Sequence, residues 1–178
     1  MKDRQLAKRI ILGIVHQAGG VFTNQTNLYK AFYHAHVKYA DENPGFLSSW
    51  PIVRMPRGPG IHRGKELLAE LLNDGDLDIR GVPIGKKVAM QFVIKERAIE
   101  TASDFSDEAI AAIRYGVTQV ENKTADQVSH DSHEKSRSWR NAKDGQELPI
   151  YTDSFSEEQY NQADARGQRA ADILRRLG

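Results

Sequence analysis

Between Trp50 and Gly64 the chain packs three prolines and three glycines into fifteen residues, Trp-Pro-Ile-Val-Arg-Met-Pro-Arg-Gly-Pro-Gly-Ile-His-Arg-Gly. No regular helix runs through such a stretch. A proline inside a helix removes a hydrogen bond and clashes with the preceding turn, and each glycine costs further stability. Proline also fixes φ, so the segment is stiff rather than disordered. Trp50, Ile52, Val53, Met55 and Ile61 can anchor it. The chain must therefore build its helices on either side of a rigid, arginine-bearing break.

Before the break, Leu6, Ile10 and Ile14 recur every fourth residue, with Ile11 and Val15 widening the stripe. This spacing predicts a helix over 2–17, ended by Gly19-Gly20. A second helix, capped by Asn24 or Thr26, runs to about residue 42 and buries Leu28, Phe32, Ala35 and Tyr39. Tyr29, Tyr33 and His36 form an adjoining stripe. After the break, Leu67, Leu68, Leu71 and Leu72 predict a third helix over 63–73. A hairpin follows: a strand over 77–82, a turn from Pro83 to Lys87, and a strand in which Val88, Met90, Phe92 and Ile94 alternate. The remainder reads as helical. A fourth helix carries Phe105, Ile110, Ile113, Val117 and Val120. Thr124 and Gln127 form a capping-box pattern before a fifth, which reaches Ala142 and contains Trp139. Leu148 to Tyr151 reads as extended. Ser156 and Gln159 repeat the capping pattern before a last helix to Arg176. The expected fold is mainly α with one small β-hairpin, a winged-helix-like helical core plus C-terminal helices. Residues 1–151 form one domain and 152–178 a helical extension packing on it.

Composition narrows the function. With 39% hydrophobic and 28% charged residues the chain suits a soluble globular domain. It has no cysteine, which excludes disulfides, thiolate metal sites and a cysteine nucleophile. No apolar run approaches the roughly 20 residues that span a bilayer. The basic-then-apolar start lacks the long apolar core and cleavage site of a signal peptide. The expected location is the bacterial cytoplasm. Charge is uneven: residues 1–65 hold ten Lys/Arg against three Asp/Glu, and residues 66–178 fifteen against twenty-one. Either the two halves attract each other within the fold, or the first presents a basic surface. The first reading is favoured.

Catalytic constellations are thin. His130 and His133 lie i, i+3 on a predicted helix and could share a face, but no third metal ligand is indicated. His34 and His36 point to different faces. Gly58-Pro-Gly60 before a helix suggests a phosphate loop, but the Gly-Lys-Ser/Thr ending is missing and proline removes an amide that such a cradle needs. No nucleophile elbow or zinc-protease motif occurs. Neither an enzyme nor a cofactor or metal is expected.

Three stretches in order carry a resemblance. Leu28-Tyr-Lys-Ala-Phe-Tyr-His-Ala-His36 resembles the aromatic helix of SocA-like, or Panacea-domain, proteins. Ile52-Val-Arg-Met-Pro-Arg-Gly-Pro59 occupies the place of their Trp-x-Tyr-Gly-Pro segment, with Met55 and Arg57 departing from it. Residues Thr124 to His133, followed by Trp139-Arg-Asn-Ala142, are similar to their Leu-Ser-x-x-Thr-His…Trp-x-x-Ala ending. The likeness covers residues 6–151 and points to a divergent branch. It implies a prophage- or plasmid-associated antitoxin that binds and neutralises a toxin protein, with delivery to a Clp-type protease as a further expectation.

The residues expected to bind such a partner are Tyr29, Tyr33, Trp50, Arg54, Arg57, Gly58, Pro59 and Arg63, the aromatics and arginines being the types that dominate interfaces. The alternative is a winged-helix-like DNA-binding regulator contacting phosphates through Arg80, Lys86 and Lys87. Two features weigh against it. The third helix carries Glu66, Glu70 and Asp74 where DNA would lie, and the break before it is far longer than a helix-turn-helix turn.

Overall fold

The apolar stripe of the first helix sinks into the core, with Leu6 partly buried at its start. The computed structural model describes residues 2–85 and 87–177. In it α1 (Lys2–Gln17) buries Ala7, Ile10, Ile11, Ile14 and Val15. Helix α2 (Gln25–Glu42) starts at Asn24, whose side chain accepts from the Thr26 amide. It buries Leu28, Phe32 and Ala35 as the periodicity requires, while Tyr39 is only half-buried. Later helices are α4 (Ile99–Ser103), α5 (Asp107–Val120), α6 (Ala125–Lys135), α7 (Arg137–Asn141) and α8 (Glu157–Leu177). The α2–α5 crossing is close because α5 offers Gly116. A Cβ there would collide with the Ala31 carbonyl oxygen and sit 3.0 Å from the Ala35 amide nitrogen.

The fold is mainly α, with a small three-stranded antiparallel sheet and a separate hairpin. The expected single hairpin is present as β4 (Leu77–Ile84) and β5 (Lys87–Ile94). Pairing runs from Leu77↔Ile94 to Ile84↔Lys87, so β4 extends two residues into the expected turn. Two β features were not anticipated. Strand β1 (Val21–Thr23) pairs with β5, giving the order β1-β5-β4; three residues are too short to show an alternation. The Pro/Gly/Arg break is itself a hairpin, β2 (Ile52–Met55) and β3 (Gly58–Ile61), with Arg54 opposite Pro59. Proline is tolerated in such a position on an edge strand. On the other side of β2, residues 145–148 add a third line of backbone bonds. The Arg54 amide donates to Gln146 O (2.8 Å), the Leu148 amide to Ile52 O (2.8 Å), and the Gly145 amide to Arg54 O (2.9 Å).

Other expectations need correction. Helix α3 is Gly64–Asn73, preceded by Arg63 in a left-handed conformation. The single fifth helix is two, α6 and α7, broken at Ser136. Its side chain caps α7 through the Trp139 amide and also donates to Asp153. Residues 150–153 form a 3-10 turn rather than an extended strand. Both capping boxes form, at Thr124/Gln127 and Ser156/Gln159. The last helix, expected to pack on the domain, buries none of its described side chains. Its tie to the body is Arg137 stacked over Tyr160, 4.1 Å from the ring centre.

The charge asymmetry is largely spent inside the fold. Lys8 reaches Asp74 (2.6 Å), Arg4 pairs with Glu70, Arg9 with Asp104 (2.9 Å), Arg54 with Asp144 (3.4 Å), and Arg63 with Glu66. The acidic side of α3 therefore faces the basic side of α1. Among the described residues no helix is long and apolar enough to cross a membrane.

Candidate functional site

The three stretches that carry the resemblance lie far apart in sequence, and their side chains meet. Lys30 is the one charged residue in Asn27–Val37, and its position turns it into the interior, 2% exposed. Its Nζ donates to the Pro59 carbonyl oxygen at 2.6 Å. Burial lowers its pKa from 10.5 to about 7. Gly58, at φ +97°, lies directly over this ammonium. A Cβ there would come 2.7 Å from Lys30 Nζ and collide with Ser132 Oγ. That conformation and that lack of space together make a side chain untenable.

Trp139 closes the cluster from α7. Its Nε1 donates to Met55 O at 2.9 Å. Its ring stacks on His133 at 3.9 Å, and Arg54 lies 4.5 Å over it. Arg54 also donates to Ala142 O at 3.0 Å. Burial, with the nearby Lys30 charge, lowers the His133 pKa. Beside the cluster, Tyr33 donates to Asp153 at 2.7 Å, and Asp153 also accepts from the Ser136 hydroxyl and from both the amide and the hydroxyl of Ser138. Burial, then the Asp153 charge, raises the Tyr33 pKa well above its usual value. These bonds join α2, the β2–β3 hairpin, α6 and α7 into one interlocked body.

The expected partner-binding residues therefore separate. Tyr29 and Tyr33 are buried at 8% and 2%, and Gly58 and Pro59 are buried too, so none of these four presents a free surface. Tyr29 accepts from Gln25 and packs where Gly64 leaves room. Arg54 is a half-buried brace for Trp139. Arg57 and Arg63 are exposed, Arg57 lying 3.5 Å from Asp126. Trp50 is half-buried and donates to His62 O at 2.8 Å. His130 faces outward beside Glu134, while His133 lies under Trp139, so the pair does not converge. Among the described residues no group of three or more His, Asp or Glu could hold a metal. Of the nucleic-acid candidates Arg80 is exposed; Lys86 and the Lys87 side chain lie outside the described residues.

An apolar cleft of about 410 Å³ opens beside Trp50, walled by Phe46, Pro51, Ile52, Pro149 and Tyr151. Phe46 is 56% and Tyr151 47% exposed. The floor is fixed by His36, which stacks on Phe32 and bonds both Phe32 O (2.8 Å) and Ser48 Oγ (2.7 Å). Burial lowers the His36 pKa to about 4, so the ring is neutral at physiological pH. Sequence reasoning missed Phe46, a lone aromatic in a loop, and Tyr151, in a 3-10 turn too short to show a periodicity. A second, more polar cleft of about 900 Å³ lies between α5 and the β1 region, bordered by Asn27, Arg57, Arg114, Lys123 and Asp126. No known family model, curated protein or solved structure matches the chain.

Proposed function

We propose that the chain is a protein-binding module of the SocA-like, Panacea-domain kind, acting as the antitoxin of a toxin–antitoxin pair, and that its toxin docks in the Trp50 cleft. The observation that carries the binding reading is the cleft itself. Phe46 and Tyr151 hold large apolar area in water in one cleft with a half-buried tryptophan, and aromatic anchors lining a preformed apolar depression are the usual seat of binding energy. The family reading is supported by the meeting of Lys30, Gly58-Pro59, His133 and Trp139, one cluster drawn from all three resembling stretches. The scaffold reading is winged-helix-like. The order α1-β1-α2-α3-β4-β5, with β1 against β5, supports that connectivity, and the β2–β3 hairpin is an insertion into it. Binding here is a property of the site rather than of the scaffold.

The test is co-expression with the product of the adjacent open reading frame. Wild-type protein should restore growth to cells making a toxic neighbour. Phe46→Asp and Tyr151→Asp should abolish rescue and capture of the toxin while leaving the melting temperature within a few degrees. Arg57→Ala, at the border of the second cleft, should leave capture and stability unchanged, whereas Arg54→Ala should lower stability through Trp139. A neighbour that is not toxic, or undiminished rescue by both aspartate variants, refutes the proposal.

A further inference from the structure

Three glycines sit in the middle of helices, and two are explained by their neighbours. At Gly13 a Cβ would press 3.1 Å against Phe105 and 3.2 Å against Ile113, and at Gly116 it would strike α2. At Gly167 a Cβ would meet nothing within 4 Å among the described residues beyond its own helix backbone. Glycine in a helix interior costs about 1 kcal/mol relative to alanine, and a helix without tertiary packing is marginal to begin with. Gly167 is ten residues from each end of α8. It lies on a seam with Ala163, Ala170 and Leu174, spaced 4, 3 and 4 residues, the repeat by which one helix face meets another helix. Leu174 is 71% and its neighbour Ile173 58% exposed.

Charge says what covers this face. Residues 157–165 carry Glu157, Glu158 and Asp164 and no Lys or Arg, a balance of −3. Residues 166–177 carry Arg166, Arg169, Arg175 and Arg176 against Asp172, a balance of +3. Complementing the helix dipole accounts for charges in the terminal turns only, not for Asp164, Arg166 or Arg169. We propose that α8 pairs antiparallel with α8 of a second copy of this chain, the two helices crossing at Gly167. That arrangement sets each acidic half against a basic half. It places Ala163 level with Ala171 and one residue from Ala170 of the second copy, and glycine against glycine lets the axes approach closely, toward the roughly 8 Å end of the usual range. A parallel pair would have the same glycine contact but would stack like charges, acid on acid and arginine on arginine.

The natural absence of cysteine makes the register directly readable in the full-length chain. Light scattering should give twice the 20.0 kDa chain mass, and Leu174→Asp should return it to the single-chain mass with an unchanged melting temperature. Under mild oxidation Gly167→Cys should cross-link to itself. Leu174→Cys should not, because antiparallel copies hold the two sulfurs roughly 21 Å apart at 1.5 Å per residue. A mixture of Ala163→Cys and Ala170→Cys chains should cross-link between the two. A wild-type chain that is monomeric, a dimer that survives Leu174→Asp, or self-cross-linking of Leu174→Cys overturns the proposal. It stands apart from the Trp50 cleft: loss of toxin capture leaves these readouts untouched.

Discussion

Lys30→Met removes the charge buried under the β2–β3 hairpin, and its consequence can be worked out from the structure. The folded-state pKa of Lys30 is lowered from 10.5 to about 7. Between those values the unfolded chain holds a proton that the folded chain has shed, so stability rises with pH. This contribution is fully present above pH 10.5 and is lost as pH falls to about 7. From pH 7.5 to 9.5 nearly one proton separates the two states, and at 1.36 kcal/mol per unit the gain is about 2.5 kcal/mol. The methionine variant has no such group. It leaves the Pro59 carbonyl without its donor, a cost of about 1–3 kcal/mol at every pH. Urea titrations at pH 7.5, 8.5 and 9.5 should therefore show the wild type gaining stability that Lys30→Met does not gain, the gap widening by about 2.5 kcal/mol. Parallel pH profiles for the two proteins would refute the burial of an ionisable amine there. The window stops short of pH 10, where tyrosines titrate with the opposite sign.

Gly116→Ala should destabilise by about 1–3 kcal/mol, read by denaturant titration, because the new methyl separates α2 from α5. Asp153→Ala removes the acceptor shared by Tyr33, Ser136 and Ser138. It should cost about 3–5 kcal/mol, seen as a lower urea midpoint, whereas Asp153→Asn, which keeps one oxygen, should cost less.

Helix content was readable because α1, α2, α3 and α5 each bury one continuous stripe, and a 3.6-residue period in apolar residues is a local property. The capping boxes at Thr124 and Ser156 were readable for the same reason. What escaped depends on partners distant in sequence. Strand β1 is defined only by Phe92 and its neighbours some seventy residues away. Proline and glycine marked 50–64 as non-helical, but nothing in that stretch reveals that the backbone of 145–148 zips onto it or that Lys30 bonds it from α2. Ser136 ends α6 because Asp153 and Trp139 claim its hydroxyl. Residue type alone suggested Tyr29 and Tyr33 as contact residues, and long-range packing buries them. The cleft aromatics Phe46 and Tyr151 line one cleft although 105 positions separate them. No sequence window contains that relation.

The zipper of residues 145–148 onto β2 carries a consequence for synthesis. Ribosomes make roughly 5–20 residues per second, and chains begin to fold from the N-terminal side. The hairpin is complete once Ile61 is made, yet the outer edge of β2 stays unpaired until Leu148 follows. That is a delay of roughly 4–17 s. For that interval the newborn chain presents an open strand edge, with Trp139 not yet seated on Met55. A translational pause within 61–148 would lengthen that exposure, and nascent-chain aggregation should rise with it.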